Sequence, residues 1–215
     1  MDTSVKGKSE ARDTAHDDVR GVDVLLGRKI RDLRQSRGMS LKDVAAVSGF
    51  SIGLLSQIER GMSSPSVRVL ASLAKVLNVS LGTLFDDVAP DQPDILDGIV
   101  VRGGARRKLA LWRTGISKEL LTPQGAPSRL EMYLVILEPN ATTGSDTYFH
   151  EGEEAGFVLE GTLELTVDDK TYTLAAGDSF RFSSDRPHRF ENLGPRMARV
   201  LWAQRYDAVP SGEHD

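Results

Sequence analysis

Two short segments hold most of the side chains with chemistry to offer. The first places Tyr148, His150 and Glu154 beside Glu151 and Glu153; the second places His188, Phe190 and Asn192 within five positions. Imidazoles and carboxylates bind divalent metals, move protons or hydrogen-bond small polar molecules. On a strand, residues two apart share a face, so Tyr148 and His150 point one way, as do His188, Phe190 and Asn192 on theirs. Glu151, Glu153, Glu154 and Glu160 form an acidic cluster that either attracts a cationic effector or is a solvated turn. Phe157, Phe182, Phe190 and Trp202 read as core. The chain has no cysteine, which excludes disulfides and thiolate metal sites.

A different chemistry belongs to residues 40–61, SLKDVAAVSGFSIGLLSQIERG. The net charge of the chain is −4, yet residues 24–80 hold nine Lys/Arg against three Asp/Glu, and residues 91–215 hold 14 basic against 20 acidic groups. A basic segment in an acidic protein points to a local polyanion site. Ala45 is small enough for close helix approach, and Gly49 stands where the chain must turn sharply between two helices. Leu55 and Ile58 point back to a core. This is the layout of a helix-turn-helix whose second helix enters the major groove.

The elements that position these groups fall into two domains. Residues 1–22 have few large apolar side chains and are expected to form a disordered tail. Over residues 23–86 the apolar spacing is helical. Val24, Leu25, Ile30 and Leu33 mark a first helix; Ser40, Ser51 and Ser66 are N-caps for the second, third and fourth; Ser80 opens a short fifth with Leu81, Leu84 and Phe85. Residues 87–98, rich in Asp and Pro, read as a linker. From 99 to 207 the period changes to two, with strands expected at 129–138, 162–167, 171–174 and 199–203 and a hairpin at Asp168, Asp169 and Lys170. Residues 208–215 read as a tail. The fold class is multidomain α plus all-β: a five-helix DNA-binding domain followed by a β-barrel. No signal peptide or membrane span is expected, which places the chain in the cytoplasm.

The string LSQIERG followed by PSVRVLASLAKVLNVSLGTLF resembles the Xre/Cro/lambda-repressor family over about residues 24–85. The resemblance implies a lambda-repressor-like bundle in which Ser51, Ile52, Gly53, Ser56 and Gln57 face the DNA. Gln57 is suited to adenine and Ile52 to a thymine methyl, while Ser40, Lys42, Arg60 and Arg68 would bind phosphates. Such domains commonly act as homodimers on double-stranded operators with half-sites one DNA turn apart.

HEGEEAGFVLEGTLELTV and LAAGDSFRFSSDRPHRFEN resemble the two motifs of the cupin superfamily, a jelly-roll barrel, over about residues 100–205. His150, Glu154 and Gly161 match the second His, the Glu and the Gly of the first motif, and Tyr148 stands where the first His belongs. Gly177, His188 and Asn192 match the second motif. The resemblance implies that His150, Glu154 and His188 hold one divalent metal (Zn, Ni, Mn or Fe), with Tyr148, Tyr133 and Asn192 contacting a small-molecule effector. A metal-free effector pocket built from the same groups and a vestigial site are the alternatives. Fusion of the two domain types resembles the Xre–cupin regulators, which implies a transcriptional regulator or repressor whose barrel senses an effector. The rival is an enzyme: a mononuclear iron epoxidase also joins an Xre-like domain to a cupin with two His and one Glu. A third reading is a DNA-binding interaction module with a side-chain-filled barrel.

Overall fold

The computed structural model describes residues 7–85, 95–96, 98–111, 114–123 and 128–207. The expected tail at 208–215 and most of the expected linker at 87–98 lie outside the described residues.

Among the described residues the N-terminal part holds four α-helices. α1 spans Gly7–Ser36, α2 Leu41–Ser48, α3 Ile52–Glu59 and α4 Val67–Val76. α1 begins well inside the stretch expected to be a tail. Glu10, Ala11, Arg12 and Ala15 are good helix formers, and a polar stretch can extend a helix without an apolar face. Leu26, Ile30 and Leu33 then recur at helical spacing and are buried. Gly27 lets α1 come close to α3: a Cβ there would stand 2.2 Å from the Ile58 carbonyl oxygen. Arg34 joins the same two helices through a fork onto Glu59, Nε to Oε1 at 2.6 Å and Nη2 to Oε2 at 2.9 Å.

The caps follow the side chains. Ser40 and Asp43 form a reciprocal capping box at α2, in which the Asp43 N–H donates to Ser40 Oγ and the Ser40 N–H to Asp43 Oδ2. α2 ends at Gly49, whose φ of 75° is left-handed, the turn that redirects the chain into α3. Ser51 and Ser66 cap α3 and α4.

The fifth helix is instead a single 3-10 turn, Gly82–Phe85. The Leu84 N–H donates to the Leu81 carbonyl, an i to i+3 bond. Ser80 Oγ accepts from Thr83 N at 3.2 Å, while Gly82 N donates to the Glu131 carboxylate from the other domain.

Among the described residues the β region holds eleven strands: β1 Ile95–Leu96, β2 Val100–Val101, β3 Arg107–Leu111, β4 Ile116–Leu120, β5 Leu130–Leu137, β6 Glu153–Glu160, β7 Thr162–Val167, β8 Lys170–Ala175, β9 Ser179–Ser183, β10 His188–Glu191 and β11 Ala198–Arg205. They do not close into one barrel. A six-stranded sheet, β3-β4-β5-β11-β6-β9, faces a three-stranded sheet, β10-β7-β8, and β1 pairs with β2. The isolated bridges Thr142 to Glu191 and Tyr148 to His188, with the bonds between Thr143 and Phe190, tie β10 to the incoming loop. Two facing sheets bury alternate residues as a barrel would, which is why the period-two pattern did not separate them. The sandwich core holds Tyr133, Val135, Val158, Leu163, Phe190, Val200 and Trp202.

Candidate functional site

Register brings the chemistry together. On the inner face of the large sheet, Gln204 of β11 stands opposite Glu131 of β5 and Glu154 of β6. His150 precedes β6, and the Ser184 carbonyl accepts its N–H at 2.9 Å. His188 opens β10, and its N–H and C=O both bond to Tyr148. His150 and His188 thus reach Glu154 from the loop and from the small sheet.

Three ligand atoms, one each from His150, Glu154 and His188, lie within 4.8 Å of one another, and all three residues are buried. His150 Nε2 is 3.1 Å from Glu154 Oε1, and His188 Nε2 is 3.5 Å from Oε2. His188 Nδ1 lies 2.8 Å from the Arg186 carbonyl, which can only accept. Nδ1 therefore carries a proton, and in the neutral ring Nε2 presents a lone pair. That lone pair and Glu154 Oε2 are buried without a hydrogen-bond partner. Two unpaired acceptors facing each other call for a cation. Burial holds the His188 pKa down. For Glu154, burial pushes the pKa up, but the His150 bond and the surrounding positive charge outweigh it and hold the carboxyl below its usual value. Both groups are thus in the ligating form near neutrality, and the triad can hold a divalent metal.

Beside the triad lies a cavity of about 240 Å³. Tyr148, His150, Glu154, Lys118 and Gln204 line one side. The other wall is α4 and the residues after it: Val67, Ala71, Ala74, Lys75 and Asn78. This face of the β domain thus opens directly onto α4 of the helical domain. A larger cleft of about 580 Å³ lies across Tyr148, between Phe149 and the α2–α3 turn at Gly49 and Phe50.

A buried network joins the domains next to this cavity. Glu131 Oε1 accepts from Ser80 Oγ at 2.6 Å, and Oε2 accepts from the Tyr206 phenol at 2.7 Å and from the Tyr133 phenol. Tyr206 also lines the cavity, and its oxygen accepts the Leu81 N–H at 3.2 Å.

The other expected site residues fall into three groups. Ser51, Ile52, Gly53 and Gln57 are exposed on α3, with Ser56 half-buried; Lys42 and Arg60 are exposed. The Ser40 and Ser51 hydroxyls accept from helix N–H groups and keep a proton to donate. Arg68, expected on a phosphate, is turned to the β domain: Nη1 lies 3.0 Å from Asp146 Oδ2, and the guanidinium stands 5.8 Å from the Phe50 ring centroid. Asn192, expected at the effector, is fully buried and faces away from the cavity. Its amide donates toward the carbonyls of Leu137, Glu138 and Arg196, and its oxygen accepts from Gly194 N. Tyr133 likewise lies beneath the site rather than lining it. The acidic cluster is dispersed: Glu153 pairs with Arg181 and Arg205, Glu154 joins the triad, and only Glu151 stands at the cavity mouth. Sequence reasoning missed Lys118, Gln204, Tyr206 and Glu131. Their signal was a polar residue at an inward position of an alternating strand.

Two family profiles match the chain: one described as helix-turn-helix over residues 30–84, and one described as a cupin domain over residues 133–204. The HTH-type transcriptional regulator PuuR of Escherichia coli (strain K12) is 32% identical over 182 residues, 82% of this chain and 92% of its own. The HTH-type transcriptional regulator SutR of the same organism is 30% identical over 169 residues, 79% of this chain and 88% of its own. The crystal structure of an HTH_3 family transcriptional regulator from Vibrio cholerae superposes with a TM-score of 0.69 at 26% identity, covering 89% of this chain and 99% of that one.

Proposed function

Since the chain belongs to the HTH-type transcriptional regulators that join an Xre-type DNA-binding domain to a cupin domain, we propose that its operator affinity is set by a small molecule bound between the two domains. The observation that carries this is the composition of the cavity wall: α4 on one side, and the triad with Tyr148 on the other. A ligand there contacts both domains, so its affinity depends on how they sit together. By reciprocity, its binding biases that arrangement.

α3 is the reading helix, with Gln57 and Ile52 toward bases and Lys42 and Arg60 toward phosphates. Two copies on half-sites about 34 Å apart would make a homodimer on a pseudo-palindromic operator, acting in the cytoplasm. His150, Glu154 and His188 are the residues that would hold a divalent ion, which when bound supplies a Lewis-acidic anchor for a ligand oxygen. Tyr148 meets His188 edge to face, with ring centroids 4.3 Å apart, and shapes the same end of the cavity.

The test is operator titration. An operator is selected from random DNA with the full chain, and affinity is measured with and without Zn or Mn and with small-molecule fractions from the source cells. The expected result is a ligand-dependent shift that Ala71→Trp, which fills the α4 wall, abolishes. An A71W protein that responds like the parent overturns the placement of the effector. An iron-dependent uptake of oxygen without any effect on DNA binding would favour the oxygenase reading instead.

A further inference from the structure

Lys118 is the charged group for which the regulator reading has no use so far. It occupies the inward position between Ile116 and Leu120 on β4 and is 6% exposed. Its ammonium stands 5.3 Å from the Tyr133 ring centroid. Among the described residues it makes no hydrogen bond and no ion pair within 4.0 Å, and it opens on the cavity instead.

The nearby carboxylates are already engaged. Glu131 is bonded by Ser80, Tyr133, Tyr206 and Gly82, and Glu154 bonds His150 through Oε1 while its Oε2 turns to His188 Nε2, where an ion on the triad would take it up. Burial lowers the Lys118 pKa, and the Glu154 and Glu131 carboxylates oppose that shift. A desolvated ammonium with unused donors is costly to keep in a fold. The cost is offset when an occupant supplies the missing acceptor. The cationic option fits less well. Glu151 and Asp207 are exposed at the mouth, where water screens them, and Lys75 stands there too.

Resting on the reading of this cavity as the effector site, we propose that the effector is a small organic carboxylate, its carboxylate accepting from Lys118 and its remainder lying against Ala71, Ala74 and Asn78 of α4. A cavity of about 240 Å³ corresponds to roughly eight water volumes, the size of a short dicarboxylate or an amino acid. A divalent ion on the triad would add positive charge at the same end and favour the same class.

The test compares compounds of equal chain length and different end groups on the full chain: glutarate, 1,5-diaminopentane and 1,5-pentanediol, together with acetate and glutamate, by calorimetric titration and thermal melting. At least one carboxylate is expected to bind at millimolar concentration or better, and the diamine and diol are not. Lys118→Met removes a charge-assisted bond and weakens carboxylate binding about tenfold or more. K118M should fold with an equal or higher Tm, because it buries no unpaired charge. Lys118→Arg, which keeps the charge, retains part of the affinity. The proposal is overturned if no carboxylate binds, if K118M binds carboxylates as the parent does, or if the diamine binds in their place. Binding of the diamine with an altered operator affinity would leave the effector reading standing and remove only the carboxylate class. If no compound of any charge binds and the protein purified from its source cells carries no small molecule, the effector reading falls as well.

Discussion

Ser80 donates its hydroxyl to Glu131 at 2.6 Å, fastening the last turn of the DNA-binding domain to a strand that floors the sensor. The same carboxylate holds Tyr206, which lines the cavity, so domain contact and ligand site share one buried anion. Glu131→Gln keeps the shape but turns one of the two acceptor oxygens into an NH2 donor, so either Ser80 or the set of Tyr133, Tyr206 and Gly82 loses its acceptor. The expected loss is about 2 kcal/mol, with calorimetric unfolding splitting into two transitions as the domains uncouple. A single transition at the parent Tm would show that the latch does not join the domains energetically.

Gln57 is exposed on α3 and is suited to a bidentate contact with adenine. Gln57→Ala is expected to weaken binding to the selected operator by about tenfold, consistent with 1–3 kcal/mol for such a contact, without a change in Tm. Parental affinity in a fluorescence titration would remove Gln57 from the reading face.

His188 contributes a bare Nε2 to the triad. His188→Gln is expected to lower Zn or Mn from about one per chain to near zero by elemental analysis after dialysis. The parent Tm should fall when a chelator is added, and that of H188Q should not. Equal metal content in the two proteins would show that the ion, if any, sits elsewhere.

The capping box gives a pH signature. Hydrogen bonding by Ser40, from its side chain and its N–H, lowers the Asp43 pKa from 3.8. A carboxyl with a lowered folded pKa contributes stability that is present above the unfolded value and lost as pH falls through the folded one. Asp43→Asn should therefore melt below the parent at neutral pH, and the gap should close as pH falls below 3.8. A gap that is constant from neutral to acid would mean that the charge on Asp43 contributes nothing.

The sequence displayed the helix-turn-helix because its signals are local: Ser40, Gly49 and Ser51 each act within four residues of where they stand. The strand alternation likewise marked β7 to within its ends. What stayed hidden depends on register between distant strands. Nothing near Lys118 says that its inward neighbours are a metal triad, and nothing near Glu131 says that Ser80 will reach it. Arg68 shows the same limit, since its charge is visible in the sequence and its pairing with Asp146 is not. Asn192 carried the motif spacing, but alternation gives only the face of a strand. Its amide is consumed by the turn at residues 192–196.

At Gly27, backbone meets backbone with no side chain between them. Side chains absorb small displacements by rotating; a carbonyl against a Cα does not. Any tilt of α1 is therefore handed on to the end of α3 nearly undiminished. Attempts to retarget this protein to new DNA sequences can exchange the exposed residues of α3 freely, but they inherit the angle at which that helix is presented.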